Sequence, residues 1–253
     1  MPHLLEVGQG SDARRLAVLV REGKGPPVVW LCGFRSDMRG TKVVALDEWA
    51  RAKGRSFVRF DYSGHGESGG VFEECTISRW LEDTLAVLDR YVPERPILVG
   101  SSMGGWLALL ATRLLRQSRP ERAPLGLVLI APAVDFTERL MWERFPEEIR
   151  QVVEREGVYH RPSAYSDMPY PITRALIEDG RKHLLLGAPI ATDCPVHILQ
   201  GMQDPDVPWQ HAMELVEHLP GDCVSMTLIK DGDHRLSRPE DLERLIAAVE
   251  AIV

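Results

Sequence analysis

Apolar and polar positions along the chain follow two alternating patterns. Short apolar runs predict buried strands, and the longer segments between them repeat apolar residues at the spacing of an amphipathic helix. The clearest helix starts at Thr76 and places Ile77, Leu81, Leu85 and Leu88 on one face. Residues 3–7 and 14–20 form a predicted hairpin, and strand–helix units follow it. Eight predicted strands in this order favour an α/β fold with a mostly parallel sheet flanked by helices.

The alternation of predicted strands and helices is interrupted once. From about Asp135 to Pro189 the sequence shows no strand pattern and two helical patterns, at 146–157 and 171–186. We interpret this stretch as a small helical cap. The predicted organisation is therefore a core in two parts, 1–134 and 190–253, with a cap insertion at 135–189.

Capping residues indicate where two helices begin and end. Thr41 is expected to cap the start of the helix at 41–54, and Gly54 its end. Ser237 and Glu240 have the spacing of a capping box at the start of the last helix.

Composition narrows the classes of function. Of 253 residues, 44% are hydrophobic and 26% charged, as in ordinary globular proteins. The net charge of −7 disfavours nucleic acid as a partner. The four cysteines lack zinc-site spacing, so we expect free thiols, no metal and no cofactor. Without a signal-peptide pattern or an apolar run of membrane-spanning length, the sequence predicts a cytoplasmic protein with no membrane span; its oligomeric state stays open.

One serine has the sequence context of a nucleophile. The segment GSSMG places Ser102 in the pattern G-x-S-x-G, between an apolar run and a helical pattern. Ser101 does not fit, because Val99 stands where the first glycine belongs. This motif requires a sharp, strained turn from strand to helix, which small neighbours permit. The pattern therefore predicts that Ser102 is the nucleophile.

A serine nucleophile needs a base and an orienting acid, and both have candidates later in the chain. Asp204 follows a predicted strand in the loop GMQDPDVP; Asp206 is its rival, and we favour Asp204. His234 is the histidine, of eight, that lies between the last predicted strand and the last helix. Asp231 and Asp233 flank it, but sequence neighbours rarely point at the far side of the ring.

Two backbone N–H groups are expected to stabilise the oxyanion. One belongs to Met103, directly after the nucleophile, and the other to Phe34, in the loop after the third predicted strand. Gly33 would allow that loop to turn tightly.

The segment GHGESG, residues 64–69, matches the glycine pattern of a dinucleotide-binding loop. No helix opens directly after it, and two glutamates follow where a pyrophosphate would lie. We therefore interpret it as a glycine-rich loop at the same sheet edge as the serine.

Five segments resemble the α/β-hydrolase superfamily in their order along the chain: LCGFRSD, FDYSGHGESGG, GSSMGGW, GMQDPDVPW and DGDHR. Several of them, with the cap segment EREGVYHRPSAYS, are similar to a mitochondrial group of palmitoyl-protein thioesterases and acyl-glucuronide esterases. The resemblance implies Ser102 as nucleophile, Asp204 as acid and His234 as base, with the N–H groups of Phe34 and Met103 as oxyanion donors. Because the chain shows no mitochondrial presequence, we expect a bacterial or cytosolic relative.

The predicted function is hydrolysis of a carboxylic ester or thioester through an acyl-enzyme, on a small-molecule or acylated substrate. Two alternatives stay open: a carbon–carbon bond hydrolase on the same fold, and a binding protein that has lost catalysis. Aromatic and methionine side chains of the cap either line an acyl pocket or anchor the cap: Met141, Trp142, Phe145, Tyr159, Tyr165 and Tyr170. Four cap arginines either meet an anionic leaving group or form a solvated face: Arg139, Arg144, Arg161 and Arg174.

Overall fold

The computed structural model describes residues 1–162, 169–221 and 223–252, and an eight-stranded sheet is its centre. The strands of this sheet are β1 His3–Val7, β2 Arg14–Arg21, β3 Lys24–Leu31, β4 Arg55–Phe60, β5 Ile97–Ser101, β6 Gly126–Ile130, β9 Val196–Gly201 and β10 Val224–Ile229. Their order is β1-β2-β4-β3-β5-β6-β9-β10. Strand β2 pairs antiparallel with β1 and β4, and the remaining pairs are parallel. The predicted hairpin and the mostly parallel sheet are confirmed.

Helices connect the parallel strands, and a last helix follows β10. They are α1 Thr41–Lys53, α2 Ile77–Tyr91, α3 Met103–Ser118, α4 Glu147–Glu156, α5 Arg174–Gly180, α6 Trp209–His218 and α7 Pro239–Glu250. All residues of β5 and β6 are buried, because helices cover the central strands on both faces. The carboxyl ends of these strands meet at one edge of the sheet, where α/β proteins form their binding sites.

Two predicted caps differ from the structure. Gly40 rather than Thr41 is the N-cap of α1, and no side chain bonds there. At α7 the N-cap is Arg238, whose N–H and guanidinium donate to Asp241. Ser237 lies one residue before this N-cap, and its hydroxyl donates to the Arg235 carbonyl at 3.0 Å. Gly54 ends α1 in the left-handed conformation, as predicted.

The segment between β6 and β9 contains strands that the sequence pattern did not predict. Strand β7, Val158–Arg161, pairs antiparallel with β8, Tyr170–Thr173. Helix α5 therefore begins at Arg174 rather than 171, and the Thr173 hydroxyl caps it by accepting the Leu176 N–H. Strands of four residues are too short to show a clear alternation of polar and apolar positions. The division of the chain into core and cap stays a prediction.

A polar contact joins the two ends of the segment between β6 and β9. Asp135, just after β6, accepts the N–H groups of Leu185 and Leu186 at 2.8–2.9 Å. Among the helices of the described residues, none is both long and apolar enough to span a membrane.

Candidate active site

Ser102 lies in the turn between β5 and α3 and has a strained backbone. Its φ of 55° and ψ of −118° are unfavourable for any residue with a side chain. The flanking glycines allow the turn to close: a Cβ on Gly100 would lie 2.3 Å from the Gly104 carbonyl oxygen, and one on Gly104 would lie 2.0 Å from that of Leu31. Only glycine fits at both positions, so the G-x-S-x-G pattern has a steric cause here.

Backbone hydrogen bonds hold the turn in place. The Ser102 N–H donates to the Ile130 carbonyl at 2.8 Å, and its carbonyl accepts from Gly105 and Ala133 at 2.9 and 3.1 Å. Met103 is the first residue of α3, where N–H groups have no intrahelical acceptor. The positive end of the helix dipole thus lies beside the serine.

His234 and Asp204 meet after β10 and β9, respectively. His234 Nδ1 lies 2.7 Å from Asp204 Oδ2. Asp204 Oδ1 accepts the backbone N–H groups of Asp206 and Val207, each at 2.9 Å. The Asp204 side chain has no exposed surface, so its orientation is fixed. A carboxylate bound at Nδ1 leaves His234 Nε2 free of a proton and able to accept one.

The rival acids have other contacts. Asp233 accepts the Leu236 N–H at 2.9 Å, and Asp231 pairs with Arg238 at 2.7 Å. Asp206 lies 3.9 Å from Arg161. The carboxylate hydrogen-bonded to the His234 ring is therefore that of Asp204.

These same residues have the spacing of a metal site. Asp204, Asp206 and His234 each offer a ligand atom, and the three atoms lie within 4.8 Å of one another. Both oxygens of Asp204, however, already accept hydrogen bonds from N–H donors. A cation would have to displace the imidazole proton, so the donor set fits a hydrogen-bonded pair better than a metal centre.

Ser102 and His234 line one cavity of about 490 Å³, together with Phe34 of the predicted oxyanion loop. This volume is in the range of small-molecule sites. No hydrogen bond joins the Ser102 hydroxyl to His234 within the described residues; such contacts often tighten only when substrate binds. Gly33 brings the oxyanion loop close, because a Cβ there would lie 3.4 Å from Ser102 Cβ.

Of the cap side chains that either line an acyl pocket or anchor the cap, Tyr170 lines the cavity. Its ring packs on that of Phe34 with centroids 6.0 Å apart. Phe145 packs on Tyr159, Trp142 lies against two arginine side chains, and Met141 is buried. These contacts anchor the segment to itself and to the core. Tyr165 lies outside the described residues.

None of the four cap arginines lines the cavity, which favours the second of the two alternatives, a solvated face. Arg139 pairs with Glu214 at 2.9 Å, and Arg174 with Glu178 at 3.7 Å. Three cations that were not predicted line the cavity instead: Arg35, Lys42 and Arg235.

Two of these cations have defined surroundings. The Arg35 guanidinium lies 4.7 Å from the centre of the Phe72 ring. Lys42 is half-buried and donates to the Arg235 carbonyl. Partial removal from water lowers the pKa of Lys42 to about 8, although Asp233 opposes this shift. Both residues follow the carboxyl end of β3, in the loop and at the start of α1. That position in the sequence is the feature from which they could have been predicted.

Comparison with known proteins places the chain among hydrolases. Residues 28–247 match the Alpha/beta hydrolase family. The human palmitoyl-protein thioesterase ABHD10, mitochondrial, is 35% identical over 243 residues, which cover 96% of this chain and 78% of that protein. The structure of mouse alpha/beta hydrolase domain-containing protein 10 has 35% identity and a TM-score of 0.87, covering 99% of this chain and 98% of its own. The crystal structure of a protein from Agrobacterium vitis S4 has 52% sequence identity and a TM-score of 0.97, and the match covers 100% of this chain and 98% of that one.

Proposed function

We propose that this chain, which belongs to the alpha/beta hydrolase family, is a serine hydrolase that cleaves carboxylic esters or thioesters through an acyl-enzyme on Ser102. One observation carries the proposal: the cavity that contains the strained Ser102 also contains His234, whose far nitrogen is bonded to the buried Asp204. The relatives named palmitoyl-protein thioesterase support a substrate with an activated acyl group.

The reaction has two halves. His234 Nε2 takes the hydroxyl proton while Ser102 Oγ bonds to the acyl carbon, and the proton then passes to the departing alkoxide or thiolate. In the second half, His234 takes a proton from water as the water oxygen bonds to the acyl carbon, and it then gives that proton to Ser102 Oγ as the bond between serine and the acyl group breaks. Asp204 holds the required tautomer and stabilises the imidazolium. The N–H groups of Phe34 and Met103 stabilise the oxyanion; each such donor contributes about 2.7–4 kcal/mol.

Charges around the cavity favour an acidic substrate. Arg35, Lys42 and Arg235 outnumber Asp37 among the charged residues of the lining, although the whole chain has a net charge of −7. A leaving group that carries a carboxylate, such as the glucuronate of an acyl glucuronide, would be attracted to these cations. An acylated protein would instead place its thioester at the cavity mouth. Matched esters with and without a carboxylate on the leaving group, each beside its thioester, separate these substrates by kcat/KM.

Replacement of the nucleophile tests the reaction class. Ser102→Ala is expected to abolish hydrolysis of a p-nitrophenyl short-chain ester and labelling by a fluorophosphonate, without loss of folded structure. The adjacent serine supplies the control: Ser101 also lines the cavity, but Ser101→Ala should remain active and labelled. Undiminished turnover by Ser102→Ala, or a folded wild type that neither turns over nor reacts, rejects the proposed function.

A further inference from the structure

The glycine-rich loop after β4 contributes a buried histidine to the cavity. His65 is only 4% exposed and lines the same cavity as Ser102. Its ring packs edge to face against those of Tyr62, Phe72 and Trp80, with centroids 5.1–5.8 Å apart. These three contacts fix the plane of the imidazole.

Hydrogen bonds define the tautomer of His65. Its Nδ1 lies 3.1 Å from the Ser63 carbonyl oxygen, which can only accept, so Nδ1 carries the proton. Its Nε2 lies 3.2 Å from the Arg35 backbone nitrogen, whose N–H can only donate, so Nε2 is the acceptor. Burial lowers the pKa of His65 to about 4, which keeps the ring neutral at the pH of most assays.

The partner of His65 belongs to the proposed oxyanion loop. Ser36 donates its N–H to the Gly33 carbonyl at 3.1 Å, which closes a turn over residues 33–36. Within this turn Arg35 has a φ of 59°, a left-handed conformation that is unfavourable for a residue with a side chain. Since the Gly33 carbonyl points into the turn, the N–H of the same trans peptide, that of Phe34, points out of it.

A second contact joins the same two loops. Asp61, at the end of β4, accepts the N–H groups of Met38 and Glu67 at 2.7 and 2.8 Å. A Cβ on Gly66 would lie 2.1 Å from Asp61 Oδ2, so this loop needs a glycine where it passes the carboxylate. Gly66, the second glycine of GHGESG, thus allows close packing against Asp61.

We propose that His65 is a positioning residue for the oxyanion hole: its Nε2 holds the Arg35 N–H, and thereby keeps the turn 33–36 in the conformation that directs the Phe34 N–H into the cavity. This inference rests on the proposed function. Without the acceptor at Nε2, the backbone N–H of the strained Arg35 loses its partner and the turn relaxes. The oxyanion then loses part of the stabilisation from Phe34, while binding of the uncharged substrate is little affected.

Two substitutions separate positioning from packing. His65→Leu keeps apolar volume inside the aromatic cluster and removes the acceptor; His65→Gln places an amide oxygen near the position of Nε2. For His65→Leu we expect kcat to fall by between about 10- and 100-fold with KM unchanged, the effect of a displaced rather than deleted oxyanion donor. His65→Gln should recover most of the loss. A boronic acid inhibitor, which forms a tetrahedral adduct on serine, should bind His65→Leu more weakly by the same factor as kcat/KM.

A matched control and a readout without turnover complete the test. His211 is also a buried histidine bonded to a backbone group, 2.8 Å from the Val134 carbonyl, and does not line the cavity; His211→Leu should retain kcat. Hydrogen exchange at the Arg35 amide should be slow in the wild type and His65→Gln and fast in His65→Leu.

These measurements distinguish a failure of the inference about His65 from a failure of the proposed function. If the wild type is active and His65→Leu has an unchanged kcat, the inference is wrong. It is also wrong if His65→Leu changes KM along with kcat and His65→Gln does not restore them. A wild type that neither turns over nor is labelled rejects the proposed function instead, and the exchange rates at Arg35 then decide whether His65 holds the turn.

Discussion

The substitution Asp204→Asn tests the proposed catalytic site at its most defined point. Asp204 Oδ1 accepts two backbone N–H groups, those of Asp206 and Val207, and Oδ2 faces His234 Nδ1. An asparagine must place its carbonyl oxygen toward the two backbone donors, because its NH₂ group would face them without an acceptor. The NH₂ group therefore points at His234.

That orientation exchanges the tautomer of His234. An NH₂ donor at Nδ1 requires Nδ1 to accept, so the proton moves to Nε2, the nitrogen that must receive the Ser102 proton. The same exchange in a Ser–His–Asp triad lowers kcat by about 10⁴-fold, or about 5 kcal/mol of transition-state stabilisation. We expect that loss here, with little change in Tm because both backbone donors keep their acceptor.

The assay is turnover of a p-nitrophenyl ester beside ¹⁵N spectra of the histidine side chains. The matched control is Asp206→Asn, since Asp206 bonds to Asp204 through its backbone and not its carboxylate. Asp204→Ala should lower stability as well, because each buried donor left without a partner costs about 1–3 kcal/mol. Retention of a tenth of the activity in Asp204→Asn, or an equal loss in Asp206→Asn, refutes this reasoning.

Two further predictions concern the stability of the fold. Asp83→Ala should lower the free energy of unfolding in urea by about 3–5 kcal/mol, because it leaves the buried Arg14, 2.6 Å away, without a buried carboxylate; Glu82→Ala, at the exposed carboxylate of the same cluster, should cost less than about 1 kcal/mol. Burial raises the pKa of Asp179, but hydrogen bonds from the Ser78 N–H and hydroxyl outweigh it and hold that pKa below the usual value. Asp179 therefore stabilises the folded state above the pKa of an unfolded aspartate, and the advantage of wild type over Asp179→Asn should vanish as pH falls through the lowered pKa; a constant difference from pH 5 downward contradicts this sign.

Chain order made much of the candidate site predictable. A parallel sheet brings the carboxyl ends of its strands to one edge, so loops far apart in sequence meet there. Residue type and loop position were enough to select Ser102, Asp204 and His234, and the structure places the last two in hydrogen-bonding contact.

The supporting residues of the cavity were not predictable in the same way. His65 acts on Arg35 through a backbone N–H, and any residue type except proline could supply that donor. Lys42 reaches a backbone carbonyl of the histidine loop, almost 200 residues later in the chain. Neither contact leaves a side-chain pattern in the sequence. The strands β7 and β8 were missed because they are short and, among the residues that the structure describes, pair only with each other.

A second cluster of serine, aspartate and histidine shows why residue types alone do not define the site. Ser78 Oγ lies 2.7 Å from His183 Nε2, close enough for a nucleophile and its base. The Ser78 hydroxyl, however, donates to Asp179 at 2.9 Å, so it must accept from His183, and Nε2 already carries the proton. In the proposed site Asp204 instead bonds to Nδ1 of His234 and leaves Nε2 available to accept a proton. The direction of these two hydrogen bonds therefore makes the Ser78 cluster a structural contact between α2 and α5, whereas the arrangement at His234 can activate a serine.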